Sequence, residues 1–151
     1  LGANPHHRGT LANYPSGGNA LTTAVGTGNI EMVQLLLKHG VKIQQRPHAA
    51  CPALNLAARL GRADMVNLLL DNGANIHGGE QHFRQTALLS AISAGQAHIV
   101  QLLLERGAKP EAANGAALWE AIRKPNPKIV QLLLAAGANA NQIVDKKALK
   151  W

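Results

Sequence analysis

The feature that most constrains the fold is a ten-residue phrase that occurs four times. The copies are EMVQLLLKHG, DMVNLLLDNG, IVQLLLERGA and IVQLLLAAGA, at 31–40, 64–73, 99–108 and 129–138. Their leucine triplets lie 33, 34 and 30 residues apart, beginning at positions 35, 68, 102 and 132. A second shared phrase precedes each copy, at 20–29, 53–62, 87–96 and 117–126. A fixed period of this length predicts stacked copies of one structural unit rather than a single globular core.

Each unit is predicted to contain two helices. In the first phrase, apolar residues recur at i, i+3 and i+4, as at Leu21, Ala24 and Val25, which marks one face of a short helix. The second phrase has a wider apolar stripe, so its helix must be covered on more than one side. Glycines that can cap helices follow the first phrase at Gly28, Gly61 and Gly95, and the second at Gly40, Gly73, Gly107 and Gly137. Irregular, turn-rich stretches such as 75–85 separate the units, and we name these connections fingers.

These residues resemble the ankyrin repeat. The similar features are the 33-residue step, the V-x-LLL-x-x-GA ending, and the start Thr86–Ala91, which matches the family's Thr-Pro-Leu-His-x-Ala in part. The family's histidine is replaced in every copy, by Thr22, Asn55, Leu89 and Trp119. The resemblance implies an all-α fold, an ankyrin-type solenoid of stacked helix-turn-helix repeats with extended finger loops. It also implies a non-catalytic module that binds another protein.

We predict one domain over 1–151, with repeats at about 17–46, 47–79, 80–113 and 114–143. The ends match partial repeats at 1–8 and 144–151, and we therefore expect a segment of a longer array. Leu149 and Trp151 begin a helix that has no second half in this sequence. Because arrays need polar terminal repeats, we expect end-to-end self-association, or added stability when flanking repeats are restored.

Composition limits the function classes. Aromatic residues make up 3% of the chain and the net charge is +7, with basic residues dispersed over every repeat. A nucleic-acid site would favour a continuous basic stripe with stacking aromatics, so an acidic protein surface is the preferred partner, ahead of nucleic acid or anionic lipid. A structural spacer between other domains is the remaining alternative. Cys51 is the single cysteine and no apolar run reaches transmembrane length, which predicts an intracellular, cytoplasmic or nuclear protein.

The candidate chemical motifs do not predict an enzyme, a metal site or a cofactor site. The GxG at 26–28 has no third glycine and falls in the turn between two helices. His48 and Cys51 form an H-x-x-C pair, but zinc needs further ligands, and His77 and His82 on the next finger offer weak metal binding at most. No carboxylate pair recurs with catalytic spacing.

The resemblance implies that a partner is bound through the concave face of the solenoid and the finger loops, by positions that vary between repeats on the finger tips and the exposed side of the first helices. In this chain they are Thr27, His39, Arg46, His48, Ala49, Arg59, Leu60, His82, Phe83, Gln85, Ser93, Arg106, Arg123 and Lys124. Several are arginine, histidine or phenylalanine, and arginine and aromatic residues are common at interfaces.

The fourth unit breaks the pattern, because Pro125 stands where the other units have a turn glycine. Proline cannot adopt the left-handed conformation, so the turn must follow another path. We predict that Asn126 caps a helix running from Pro127 to about Ala136. The shortened finger at Glu111–Gly115 should leave Arg123 and Lys124 more exposed.

Overall fold

A computed structural model describes residues 20–44, 46, 48–80, 86–111 and 115–141. These ranges contain helices and turns but no strand, which confirms the predicted all-α class. The partial repeats predicted at both ends, including Leu149 and Trp151, lie outside the described residues. The helices are α1 Ala20–Thr27, α2 Ile30–Lys38, α3 Pro52–Arg59, α4 Ala63–Asp71, α5 Ala87–Ser93, α6 Ala97–Glu105, α7 Ala116–Arg123 and α8 Pro127–Ala135.

The helices form four pairs, and each pair is one helix-turn-helix unit. In the first three pairs the turn contains the predicted left-handed glycine, with φ of 77° at Gly28, 71° at Gly61 and 72° at Gly95. A side-chain cap then starts the second helix in the first pair, where Asn29 Oδ1 accepts a hydrogen bond from the Met32 amide at 2.9 Å. The limits of the repeats along the chain stay a prediction.

The fourth turn takes a different path, as predicted from Pro125. Lys124, the last residue before the proline, has an extended backbone with φ −100° and ψ 116°. Asn126 Oδ1 then accepts a hydrogen bond from the Ile129 amide at 3.3 Å, and Pro127 occupies the first position of α8. The helix ends at Ala135, one residue before the predicted Ala136.

The first helices of the units form a closely packed row in the order α1, α3, α5, α7. Alanines on their buried faces allow this approach, because Ala57 and Ala91 are both 0% exposed and carry only a methyl group. The second helices of successive units contact each other less closely. The row of first helices therefore lies on the inner side of a curved stack. In the described ranges, no helix is long and apolar enough to cross a membrane.

Candidate partner-binding surface

The C-terminal ends of the first helices bring six of the predicted partner-binding residues into one row. Each is exposed, and each lies at the end of its helix or at the C-cap beside it: Thr27, Arg59, Leu60, Ser93, Arg123 and Lys124. Because the first helices pack side by side, equivalent positions in successive units are neighbours in space. We call this row the turn edge.

Hydrogen bonds between units hold the turn edge together. Arg62 Nη1 donates to the Val25 carbonyl at 2.6 Å, Gln96 Nε2 donates to the Arg59 carbonyl at 3.2 Å, and Lys124 Nζ donates to the Ser93 carbonyl. Each acceptor is a carbonyl in the last turn of a first helix, where few intrahelical donors remain. The three donors differ in residue type, so the sequence pattern gave no signal for these bonds.

The first helices and their turns carry almost only positive charge. Arg59, Arg62, Arg123 and Lys124 are their cations, whereas Glu120 is their single carboxylate among the described residues. Glu120 is 8% exposed, and its Oε1 accepts a hydrogen bond from Ser93 Oγ at 3.3 Å. The other described carboxylates lie on second helices and fingers, at Glu31, Asp64, Asp71, Glu80, Glu105 and Glu111. Six cations share the second helices and fingers with these six carboxylates: Lys38, Lys42, Arg46, Arg106, Lys109 and Lys128. The excess of positive charge therefore lies on the first helices and their turns.

Trp119 and Arg123 form a pair on α7. The Arg123 guanidinium carbon lies 5.1 Å from the centre of the Trp119 ring, within range of a cation–π interaction. Trp119 is half-buried and is the one aromatic residue of the described ranges. The sequence marks Trp119 as a replaced family position, but it was not among the residues predicted to bind a partner. One sequence feature could have identified Trp119 as a binding residue: it is a large aromatic side chain at a position where the other repeats have threonine, asparagine or leucine.

The first finger supplies three of the predicted residues and packs directly on the second. Arg46 and His48 are exposed, while Ala49 is half-buried. The Gly79 amide donates to the His48 carbonyl at 3.2 Å. A Cβ at Gly78 would lie 2.5 Å from the Ala49 carbonyl oxygen, so this contact requires glycine. The predicted residues His82, Phe83 and Gln85 lie outside the described ranges.

His39 and Arg106 lie away from the turn edge. They are the C-caps of α2 and α6, at the opposite ends of the second helices from the turns. Arg106 bridges to the preceding unit, where Nη1 donates to Asn67 Oδ1 at 3.0 Å and Nη2 contacts Asp71 Oδ1 at 2.7 Å. This guanidinium already contributes to stacking between units, and its ion pair is partly exposed and adds little stability.

The described residues include no group of three or more histidine, cysteine or acidic side chains that could hold a metal ion. Within the H-x-x-C pair, His48 is exposed and Cys51 is 1% exposed, at the N-cap of α3. Burial raises the pKa of the Cys51 thiol, and the backbone amides of Leu54 and Ala53 offset this only in part. A protonated, enclosed thiol is a poor nucleophile.

We therefore expect Cys51 to react slowly with a thiol reagent. At pH 8, Ellman's reagent should modify the native protein at least about a hundredfold more slowly than the urea-unfolded protein, because reaction requires local opening of the fold. The raised pKa acts in the same direction, since it lowers the thiolate fraction. Equal rates in the two states would contradict the buried position.

Comparison with known proteins gives consistent results. A family model described as ankyrin repeats (3 copies) matches residues 1–79 and 54–143. A putative ankyrin repeat-containing protein of Treponema pallidum (strain Nichols) is 31% identical over 129 residues, covering 83% of this chain and 43% of the relative. The crystal structure of the human ASB11 ankyrin repeat domain superposes with a TM-score of 0.70 at 27% identity, covering 85% of this chain and 58% of that one. This chain thus spans less than two thirds of either protein.

Proposed function

This chain belongs to the ankyrin-repeat family, and we propose that it binds an acidic protein surface through the turn edge and the fingers, without catalysing a reaction. Ankyrin repeats are in general protein–protein interaction modules, which gives the class of function. The partner chemistry is argued from the charge and side chains of the turn edge.

The observation that carries the proposal is the composition of the turn edge at its α7 end. Trp119, Arg123 and Lys124 combine an aromatic ring with two cations within six residues of one helix end. Tryptophan and arginine are enriched among the residues that contribute most to binding energy. The neighbouring carboxylate, Glu120, is buried against Ser93, so it is not presented to a partner beside the two exposed cations. An acidic partner that covers the Trp119 ring fits this surface.

A preformed stack favours such binding, because little ordering is needed when the partner arrives. The hydrogen bonds from Arg62, Gln96 and Lys124 hold successive first helices at fixed spacing. We place the interaction inside the cell, in the cytoplasm or nucleus, since a buried free thiol at Cys51 suits a reducing compartment.

The test compares two double variants of equal charge change. Arg123→Ala with Lys124→Ala removes two cations from the turn edge, whereas Lys38→Ala with Lys128→Ala removes two exposed cations from second helices. We expect the first variant to lose at least about tenfold in affinity for a captured protein partner, the usual effect of losing interface hot spots. The control variant should keep the wild-type melting temperature, since exposed substitutions cost little stability. The Arg123 and Lys124 variant should lose no more than about 1 kcal/mol of stability, the usual contribution of a single hydrogen bond such as that from Lys124 to Ser93.

The outcomes distinguish the rival functions. An equal loss in both variants would point to non-specific charge attraction and would contradict the proposed site. If nucleic acid or an anionic vesicle binds more tightly than any protein, and this affinity falls steeply as salt rises, the proposed acidic protein partner is wrong. A large loss of stability in the Arg123 and Lys124 variant would mean that these residues serve the fold. Failure to capture any partner would favour the spacer role.

A further inference from the structure

Four cations lie on the first helices and their turns, and they differ in what their side chains contact. Arg62 and Lys124 each donate a hydrogen bond to a backbone carbonyl of the preceding unit. Arg59 and Arg123 are exposed, and within the described ranges neither guanidinium has a hydrogen bond or an ion pair, although Arg123 lies over the Trp119 ring. Two of the four cations are therefore used within the stack, and two guanidinium groups remain for a partner.

Arg59 and Arg123 occupy the same position in two units that are not adjacent. They are the last residues of α3 and α7, and Ser93 is the last residue of α5, which packs between those two helices. Packed helix axes lie about 8–10 Å apart, so the two arginine positions are separated by about 16–20 Å. Ser93 carries no charge, and its Oγ already donates to Glu120. Along this row a neutral residue thus stands between two cations.

We propose that the partner contacts this row with an extended acidic segment whose carboxylates stand at i and i+6, one on Arg59 and one on Arg123. This inference rests on the proposed function and specifies which part of the acidic partner is bound. An extended chain rises about 3.3 Å per residue, so a step of six residues spans about 20 Å, and side chains at i and i+6 lie on the same face. Arginine holds a carboxylate through two parallel hydrogen bonds, which gives each anchor a defined position.

The residues along the row favour an extended acidic peptide over a helix or a nucleic acid. A helical ligand is bound through an apolar stripe, but the C-caps of α3, α5 and α7 are Leu60, Ala94 and Lys124, of which only Leu60 is a large apolar residue. A nucleic acid carries a charge at every nucleotide, and phosphates between the two arginines would meet Ser93 rather than a cation. An acidic segment with neutral residues between its carboxylates matches the charges of the row.

The row does not depend on where the stack ends. Neighbouring units contact each other through the sides of their helices, as α3, α5 and α7 do, whereas the row lies at the C-terminal ends of the first helices. A further unit at either end would therefore lengthen the row without covering Arg59 or Arg123.

The test measures the binding of synthetic peptides to the purified chain. The first peptide carries glutamates at i and i+6 in a neutral sequence of serine and threonine. Two control peptides of the same length and composition carry the glutamates at i and i+3, or at i and i+11, the spacing that a helix would need. In NMR titrations the i+6 peptide should bind at least about threefold more tightly than either control, the effect of one exposed ion pair.

Two variants of the chain test where the carboxylates bind. In Arg59→Gln and in Arg123→Gln the three peptides should bind equally, because only one anchor remains in each variant. Lys38→Gln removes an exposed cation from α2 and should keep the preference for the i+6 peptide.

Several results would overturn the proposal. They are an i+6 peptide that does not bind at millimolar concentration, equal binding of the three peptides to the wild-type chain, and a preference for i+6 that persists in Arg59→Gln. Tighter binding of the i+11 peptide would indicate a helical partner, and tighter binding of a single-stranded oligonucleotide would indicate a nucleic acid. The proposed function stands in the first four cases if a captured protein partner still depends on Arg123 and Lys124, and fails if it does not.

Discussion

Replacing Leu103 by alanine is expected to lower the free energy of unfolding by about 3 kcal/mol, within the range for buried leucines. Leu103 is 0% exposed and lies on α6, in the third unit of the stack. Alanine would remove apolar contacts and leave a cavity that the packed neighbours fill only in part. Urea unfolding followed by circular dichroism measures the loss.

The position of Leu103 also predicts a change in cooperativity. Each unit contacts only its neighbours, so a weak third unit separates the first two units from the fourth. We expect a broader transition, or two transitions, in place of the wild-type curve. Leu35→Ala is the matched control: Leu35 is 51% exposed on another second helix, and its loss should cost less than about 1 kcal/mol. Similar losses of unfolding free energy for Leu103→Ala and Leu35→Ala would contradict the buried position of Leu103.

Replacing Gly28 by alanine is expected to cost about 2–3 kcal/mol, more than the same change at Gly95. Both glycines have left-handed φ angles, 77° and 72°, and strain of about 1–2 kcal/mol applies to alanine at either position. At Gly28, however, the new methyl group would lie 2.5 Å from Arg62 Nη1, whereas it meets nothing within 4 Å at Gly95. The guanidinium would have to move and would lose its hydrogen bond to the Val25 carbonyl.

A double-mutant cycle separates the strain from the lost hydrogen bond. Arg62→Met should cost about 1 kcal/mol in the wild type, because it removes a hydrogen bond between two units. In the Gly28→Ala background the same change should cost almost nothing, since the bond is already broken. Two results together would argue against this role of Arg62. They are equal losses of unfolding free energy for Gly28→Ala and Gly95→Ala, and a loss from Arg62→Met that is the same with and without Gly28→Ala. Chemical unfolding of the four variants supplies the measurement.

The sequence by itself determined the local structure and the type of fold. Spacing at i, i+3 and i+4 placed Leu21, Ala24 and Val25 on one buried face, because helix geometry depends only on near neighbours. The left-handed turns at Gly28, Gly61 and Gly95, and the cap at Asn126, follow from backbone preferences of single residues. Repetition then fixed the stacking, since a lone helix pair cannot bury its apolar faces.

For the candidate site, the sequence marked exposed positions at the ends of the first helices but not their surroundings. It named Arg123 and Lys124, but it did not relate Trp119 to Arg123 or Glu120 to Ser93. Nor did it show that Arg106 contacts Asn67 and Asp71. Both kinds of contact depend on how side chains meet after packing, which residue type alone does not specify.

Only the tertiary structure decided how charge and apolar surface are distributed. Arg62 reaches the Val25 carbonyl 37 positions earlier because two units stack. The other donors along this edge are Gln96 and Lys124, so no shared residue type marks these bonds. Stacking likewise places Arg59, Arg123 and Lys124 in one row, because the first helices pack side by side. Met32 and Met65 are equivalent in sequence but are 45% and 1% exposed. Burial depends on what packs against a residue rather than on its own type, so the sequence alone does not distinguish the two methionines.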